Sequence, residues 1–283
     1  MKKNIEQVRV LLDALPFIKK YNNKIFVIKY GGAAQTTPEL KEKFARDIVL
    51  MYLVGIKPVI VHGGGYAIGD MLERLQIESH FIDGFRVTDE KVMEVVEMVL
   101  SGSINKEITD LLNEYGAPAL GISGKDGSML KAKPVDIQKY GYVGDIIEVD
   151  PKVINNLISE KFIPVIAPIA TGQISVHPGF NINADIAAGH IATSLKARKI
   201  IFMTDTSGVM DHEKKIIHTL NEGQINILKA QGTIIGGMIP KVDACLHAVH
   251  GGVMKAHIID GRIEHALLLE VFTSEGVGTV IKL

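Results

Sequence analysis

The chain has 283 residues, 47% hydrophobic and 22% charged, which excludes a disordered or collagen-like polypeptide and allows one large α/β domain or two lobes. Its 31 Lys and Arg and 32 Asp and Glu leave a net charge of −1, so no overall positive field is available to hold nucleic acid or an anionic membrane. A single cysteine, Cys245, excludes an internal disulfide framework and a multi-cysteine zinc cage. No apolar run approaches the roughly 18 residues of a membrane span, and Glu6, Arg9 and Asp13 interrupt any signal-peptide core. The expectation is a soluble cytoplasmic protein.

Ile5, Val8, Leu12, Leu15 and Ile18 recur at three- to four-residue spacing, one face of an amphipathic helix over residues 4–20. Pro16 should kink this helix or end its first part. It precedes the first convincing strand, so residues 1–22 read as an N-terminal extension. Residues 25–28 form an apolar run that stops at Gly31-Gly32. Thr37-Pro38 reads as a helix N-cap followed by Pro at the first helical position. Leu40, Phe44, Ile48 and Met51 give that helix its buried face, and Gly55 suits its end. Residues 59–61 are the next strand, stopped by Gly63-Gly64-Gly65, and a helix follows through Leu72 and Leu75. Later buried strands are expected at 119–122, 165–167, 200–203 and 256–259, with helical patterns between most of them. This alternation predicts an α/β fold with a mostly parallel sheet covered on both faces. Between about 125 and 150 the helical period gives way to short alternating pieces, which predicts a β-hairpin insertion. Two lobes sharing one sheet are expected, residues 23–175 and 176–283.

Ligands of open α/β sheets bind beyond the carboxyl ends of the strands, where this chain has two glycine clusters, Gly31-Gly32 and Gly63-Gly64-Gly65. Glycine lets the backbone approach a ligand closely, and successive N–H groups ahead of a helix make an anion site. Tight turns alone would explain one such pair, but two clusters after consecutive strands favour a ligand. The dinucleotide fingerprint fails, because Gly63-x-Gly65 is followed by Ile68 where glycine is required. Gly124-Lys125 lacks the spacing of a P-loop, and protein-kinase motifs are missing. Lys29 interrupts an otherwise apolar strand, which is unusual for a solvated lysine; Lys241, at the start of a helix, would not stand out alone. Arg86 could clamp a carboxylate or merely pair with Asp89 or Glu90, and spacing alone favours the pairing. Asn183 and Asp185 are explained by helix capping and the helix dipole, whereas Asn181 is not. His62 reads as a loop-fixing hydrogen bonder and Cys245 as a small core residue.

Lys29-Tyr30-Gly31-Gly32, His62-Gly63-Gly64-Gly65, Asp83-Gly84-Phe85-Arg86-Val87-Thr88, Phe180-Asn181-Ile182-Asn183-Ala184-Asp185 and Gly236-Gly237-Met238-Ile239-Pro240-Lys241 together resemble the amino-acid kinase family. Within it they are similar to the branch acting on N-acetyl-L-glutamate. The resemblance implies an open three-layer αβα sandwich, with an acyl-amino-acid-binding and dimerisation lobe followed by an ATP-binding lobe. The implied reaction moves the γ-phosphoryl of ATP to the side-chain carboxylate of N-acetyl-L-glutamate, a committed step towards arginine. It assigns Lys29, Lys241 and Asp185 to catalysis, and Gly31, Gly32 and Gly63 to phosphate binding. Gly64, Gly65, Arg86 and Asn181 would bind the substrate, and Mg²⁺ would ride on the ATP phosphates. Family members inhibited by L-arginine carry an N-terminal helix that interlaces dimers into a hexamer, a trimer of dimers. The matching arginine residues would be Lys196, His265, Glu270 and Gly276, against the alternative of a final amphipathic helix with Glu270 in solvent. Rival readings are an aspartate, glutamate, carbamate or UMP kinase of the same family, a non-catalytic amino-acid sensor on this fold, and, more weakly, a nicotinamide oxidoreductase.

Overall fold

The computed structural model describes residues 2–172 and 179–283. The chain begins with α1 (Lys2–Tyr21), β1 (Ile25–Tyr30), α2 (Pro38–Leu53), β2 (Lys57–His62), α3 (Gly65–Arg74), and the short hairpin β3 (Phe81–Ile82) and β4 (Phe85–Arg86). One long helix follows, made of α4 (Glu90–Glu97), a π-helical stretch (Met98–Ile104) and α5 (Asn105–Glu114). Next come β5 (Ala119–Ser123), β6 (Leu130–Pro134), α6 (Ile137–Tyr140), β7 (Gly144–Val149), α7 (Lys152–Ser159), β8 (Ile163–Ala167), β9 (Ile169–Gly172) and β10 (Phe180–Asn181). The remainder is α8 (Ala184–Ser194), β11 (Lys199–Thr204), β12 (Thr219–Leu220), α9 (Glu222–Ala230), α10 (Met238–His250), β13 (Lys255–Asp260), α11 (Ala266–Phe272) and β14 (Thr279–Ile281).

The central sheet has eight strands in the order β12-β14-β13-β11-β1-β2-β8-β5, and every neighbouring pair is parallel except β13 with β14. Residues alternate along β1 between two cores. Phe26, Ile28 and Tyr30 face α2, with the Tyr30 ring stacked 3.7 Å from that of Phe44. Val27 faces Ala187, Ala188 and Ile191 of α8 on the opposite side. A sheet buried on both faces by helices is the expected three-layer αβα sandwich. Each fully buried large side chain contributes about 1.5–3 kcal/mol, which fixes β1 as the spine of both cores.

Chain order places β1 between β2 on one side and β11 on the other. The winding therefore reverses at β1, and such a switch point opens a crevice beyond the carboxyl ends of the strands. Thr37 Oγ1 accepts from Leu40 N at 3.3 Å, the cap that the Thr37-Pro38 pair implies. The expected hairpin at 125–150 is β6 with β7, antiparallel. It does not stand alone: β9 and β10 join it in a second sheet, β10-β9-β6-β7. The helix α1 runs through Pro16 to Tyr21 rather than ending early, because proline removes only one N–H from an otherwise continuous ladder. The expected lobe boundary at 175 and 176 lies outside the described residues, as do the side chains of Ile5 and Val8.

Candidate active site

Lys29 sits one residue from the carboxyl end of β1 and is 9% exposed, so the solvated-lysine alternative fails. Its Nζ lies 2.9 Å from Asp185 Oδ1. Lys241, in the first turns of α10, places its Nζ 3.3 Å from Asp185 Oδ2. The two ammonium groups thus share one buried carboxylate, one on each oxygen. Burial pushes the Asp185 carboxyl up, but Lys29 and Lys241 outweigh it and hold it below the usual carboxylate range. Asp185 is fixed by its helix end: Asn183 Oδ1 accepts from Asp185 N at 2.8 Å and from Ile186 N at 3.4 Å. The N-cap reading of Asn183 is therefore correct, and the cap also aims the carboxylate.

A cleft of about 500 Å³ opens over these groups, lined by Lys29, Gly31, Gly32, Gly65, Arg86 and Lys241, with Thr204 and Asp205 from the end of β11. A second hollow of about 220 Å³ adjoins it and shares Lys29, Gly65 and Arg86; Gly63, Gly64, Asn181 and Asp185 complete its wall. The structure thus gathers all ten residues that the resemblance assigned to catalysis, phosphate and substrate.

The glycines divide by role. A Cβ on Gly31 would lie 2.3 Å from Met203 O, so close approach of β1 to β11 requires glycine there. Gly65 has nothing within 4 Å of its Cβ position and opens onto the cleft. Gly63 differs from expectation. Its N–H donates to Tyr30 O at 3.0 Å, which ties the loop to β1 and spends that amide on structure.

Arg86 ends β4 and does not pair with Asp89, whose side chain caps α4 through Val92 N. Its Nη1 donates to Ser79 Oγ at 2.7 Å and its Nη2 to Gly65 O at 2.9 Å. Its guanidinium lies 4.7 Å from the Phe81 ring centroid. The fork is thereby fixed in the wall that the two hollows share. Asn181 Nδ2 donates to Thr88 Oγ1 at 3.3 Å, and Thr88 Oγ1 donates to Arg86 O at 2.8 Å, so Asn181 and Arg86 belong to one network. Sequence reasoning missed Tyr66, Phe81 and Asp205 in these walls; Asp205 was accessible by the rule that strand ends carry function, and the two aromatics gave no such signal.

Lys196, His265, Glu270 and Gly276 lie elsewhere. Glu270 is buried, not in solvent: Oε1 meets His257 Nδ1 at 2.6 Å and Oε2 accepts from Val277 N at 2.8 Å. A Cβ on Gly276 would lie 2.7 Å from Glu270 Oε2, so these two are adjacent. His265 is engaged with Asp47 Oδ1 at 2.6 Å. Lys196 is exposed beyond the end of α8. The charge of Glu270 also acts on the buried Lys199, which burial pushes down to about 8 against the pull of Glu270.

The fold and site are those of a phosphotransferase, and over residues 24–260 the sequence matches the amino acid kinase family, to which the chain belongs. It is 64% identical over 281 residues to the acetylglutamate kinase of a Nitratiruptor species, covering 99% of both chains. It is 60% identical over 282 residues to the acetylglutamate kinase of Campylobacter fetus, covering 100% of both. Among solved structures, N-acetylglutamate synthase from Neisseria gonorrhoeae, complexed with coenzyme A and N-acetyl-glutamate, matches with a TM-score of 0.85 at 23% identity. That match covers 98% of this chain and 63% of the synthase, so the chain spans under two thirds of that protein. Carbamate kinase from Giardia lamblia bound to AMP-PNP matches with a TM-score of 0.70 at 18% identity, over 92% of this chain and 98% of that one. The two structures share the fold.

Proposed function

We propose that this chain transfers the γ-phosphoryl of ATP to the side-chain carboxylate of N-acetyl-L-glutamate, giving N-acetyl-L-glutamyl 5-phosphate and ADP. The observation that carries the reading is Asp185 holding Lys29 and Lys241 at 2.9 and 3.3 Å, beside a hollow that Arg86 and Asn181 enter. The identity to acetylglutamate kinases over the whole chain supports the choice of substrate.

The nucleophile is a carboxylate with an ordinary pKa near 4.3, so it is ionised at neutral pH and needs no general base. The barrier is repulsion between that carboxylate and the polyphosphate, and it is lowered by positioning and by cations. A carboxylate oxygen attacks Pγ from the Lys29 side while the bond to the bridging oxygen breaks. The charge arriving on ADP meets Lys241. Asp185, held ionised, keeps both ammonium groups aimed and takes no proton. Arg86 grips the α-carboxylate and Asn181 the acetamido end. Mg²⁺ would be held in the larger cleft, whose wall carries the exposed Asp205 together with the two lysines. It would screen the phosphates, with phosphate oxygens and water as most of its ligands.

No helix among the described residues is long and apolar enough to cross a membrane, and the reading places the enzyme in the cytoplasm beside its ATP supply. The same reading includes feedback inhibition by L-arginine and a hexamer built through α1, with Glu270 and Gly276 as the core of the arginine site. ATP-dependent acyl-phosphate formation, trapped with hydroxylamine, tests the main assignment. N-acetyl-L-glutamate should give hydroxamate; glutamate and aspartate should not, and equal yields from either would overturn the substrate.

A further inference from the structure

Two buried groups that the phosphoryl-transfer chemistry does not use are tied directly to its glycine loop. His62 ends β2 and has no exposed surface. Its Nε2 lies 3.2 Å from Asn105 Nδ2, and its Nδ1 lies 3.1 Å from Gly63 O. A carbonyl oxygen only accepts, so the ring proton sits on Nδ1, directed at Gly63 O, and Nε2 is left as the acceptor that faces the Asn105 amide. Burial pushes the imidazole down to about 4, and the charge of Lys106 acts in the same direction. The ring is therefore neutral, in one tautomer, across the working range.

Asn105 opens α5 immediately after the π-helical stretch and is also fully buried. The same NH₂ lies 2.9 Å from Val165 O and 3.2 Å from Ile122 O, so its two hydrogens are shared among three acceptors and one side chain links β2, β8 and β5. The sheet makes room for it: a Cβ on Gly121 would lie 2.0 Å from Asn105 Oδ1. The π-helical residues press on the loop from the same side. A Cβ on Gly64 would lie 2.3 Å from Ile104 Cδ1 and 2.6 Å from Leu100 Cδ2. A π-helical turn re-aims the side chains that follow it, and such turns recur at functional sites. Beyond the loop, Gly65 O accepts from Arg86.

We infer that Asn105 and His62 form a positioning pair for phosphoryl transfer. Asn105 fixes the His62 tautomer, His62 fixes the carbonyl of Gly63, and the loop so held presents its backbone to the reacting groups and its Gly65 carbonyl to Arg86. The kinetic part of this inference rests on the kinase reading; the tautomer does not, and it is measured separately. In ¹⁵N NMR of the wild-type protein, His62 should show Nδ1 protonated and Nε2 unprotonated from pH 5 to 8. A proton on Nε2, or titration in that range, would overturn the pairing whether or not the protein turns over N-acetyl-L-glutamate.

For the kinetic part, Asn105→Asp keeps the shape but replaces the donor with an acceptor. Displacing reacting groups by an ångström costs about 100-fold, so kcat in the folded variant should fall about 10- to 100-fold with the KM for ATP within about twofold. His62→Gln, whose amide oxygen can still accept from Asn105, should recover most of the kcat lost in His62→Ala. Wild-type kcat in folded Asn105→Asp, or His62→Gln no better than His62→Ala, would reduce the pair to a structural role. Where His62→Ala does not fold, His62→Gln is compared with Asn105→Asp, and equal kcat in the two would overturn the inference.

Discussion

Without Lys241, Asp185 would keep one cationic partner, Lys29, and the proposed transfer would lose the ammonium that α10 brings to the cleft for the leaving oxygen. Charge on that oxygen grows during transfer, so the loss falls on the transition state more than on ground-state binding. Lys241→Ala should lower kcat by about two orders of magnitude or more, the scale of removing one preorganised charge stabiliser. Steady-state kinetics on the folded variant check this, and a near-normal kcat would remove Lys241 from the mechanism. The role proposed for Arg86 is of the opposite kind, in ground-state binding. Its two terminal nitrogens are held by Ser79 and Gly65, which fixes the plane of the fork rather than its charge alone. Lysine keeps the charge and loses the plane. Arg86→Lys should therefore raise the KM for N-acetyl-L-glutamate far more than that for ATP, and an equal rise in both would mean that Arg86 only shapes the loop.

At the scale of elements, local signals were read well and distant ones were not. The apolar run of β1, the Thr37-Pro38 cap and the Asn183 cap each lie within a few residues of what they control, so the sequence displays cause and effect together. The ten candidate site residues come together in one crevice because four of their five motifs lie at strand ends, while the fifth, Gly236 to Lys241, opens α10. The second sheet was missed because β10 joins β6 and β7 through β9, a pairing across chain that carries no local pattern. The π-helical stretch has no local pattern either: its Leu100 and Ile104 meet Gly64, some forty residues away in sequence. Arg86 was weighed against its neighbours Asp89 and Glu90, while its true partners are Ser79 and Gly65. The longest-range case is Asp47 on α2, which accepts from His265 and from the backbone N–H groups of Leu267 and Leu268 at the start of α11. Burial pushes the Asp47 carboxyl up to about 6 in spite of these donors. Between about pH 4 and 6 the folded chain holds a proton there that the unfolded chain has lost, so this group's stabilisation falls as pH rises, by about 3 kcal/mol at most. Asp47→Asn keeps an acceptor and does not titrate. Relative to wild type it should gain stability between pH 4 and pH 7, read by urea unfolding at the two pH values; an unchanged difference would assign the proton to another group.

At the scale of the whole molecule, α1 lies outside the αβα sandwich and packs on α11. Leu12 and Leu15 remain 58% and 53% exposed in the single chain. Burying a leucine contributes about 1.5–3 kcal/mol, and in the proposed hexamer a second copy of the same helix would cover this stripe in a symmetric contact. The other end of α1 leads inward. Tyr21 packs edge-on against Phe26 at 5.2 Å, and the Lys199 ammonium lies 4.8 Å from the Tyr21 ring centroid. The charge of Glu270 acts on that same lysine, and Glu270 abuts Gly276. One helix thus spans an exposed apolar stripe and the charged cluster where arginine is proposed to bind, so occupancy of the cluster and association through the stripe should be coupled. Coupling of this kind is reciprocal. Deleting residues 1–20 should convert a hexamer into active dimers and weaken inhibition by L-arginine, while kcat without arginine stays close to wild type. Sedimentation velocity and an arginine titration of the truncated chain check the two halves together. A truncated protein that remains hexameric and fully arginine-sensitive would refute the role of α1, and one that becomes dimeric yet stays fully sensitive would separate assembly from inhibition.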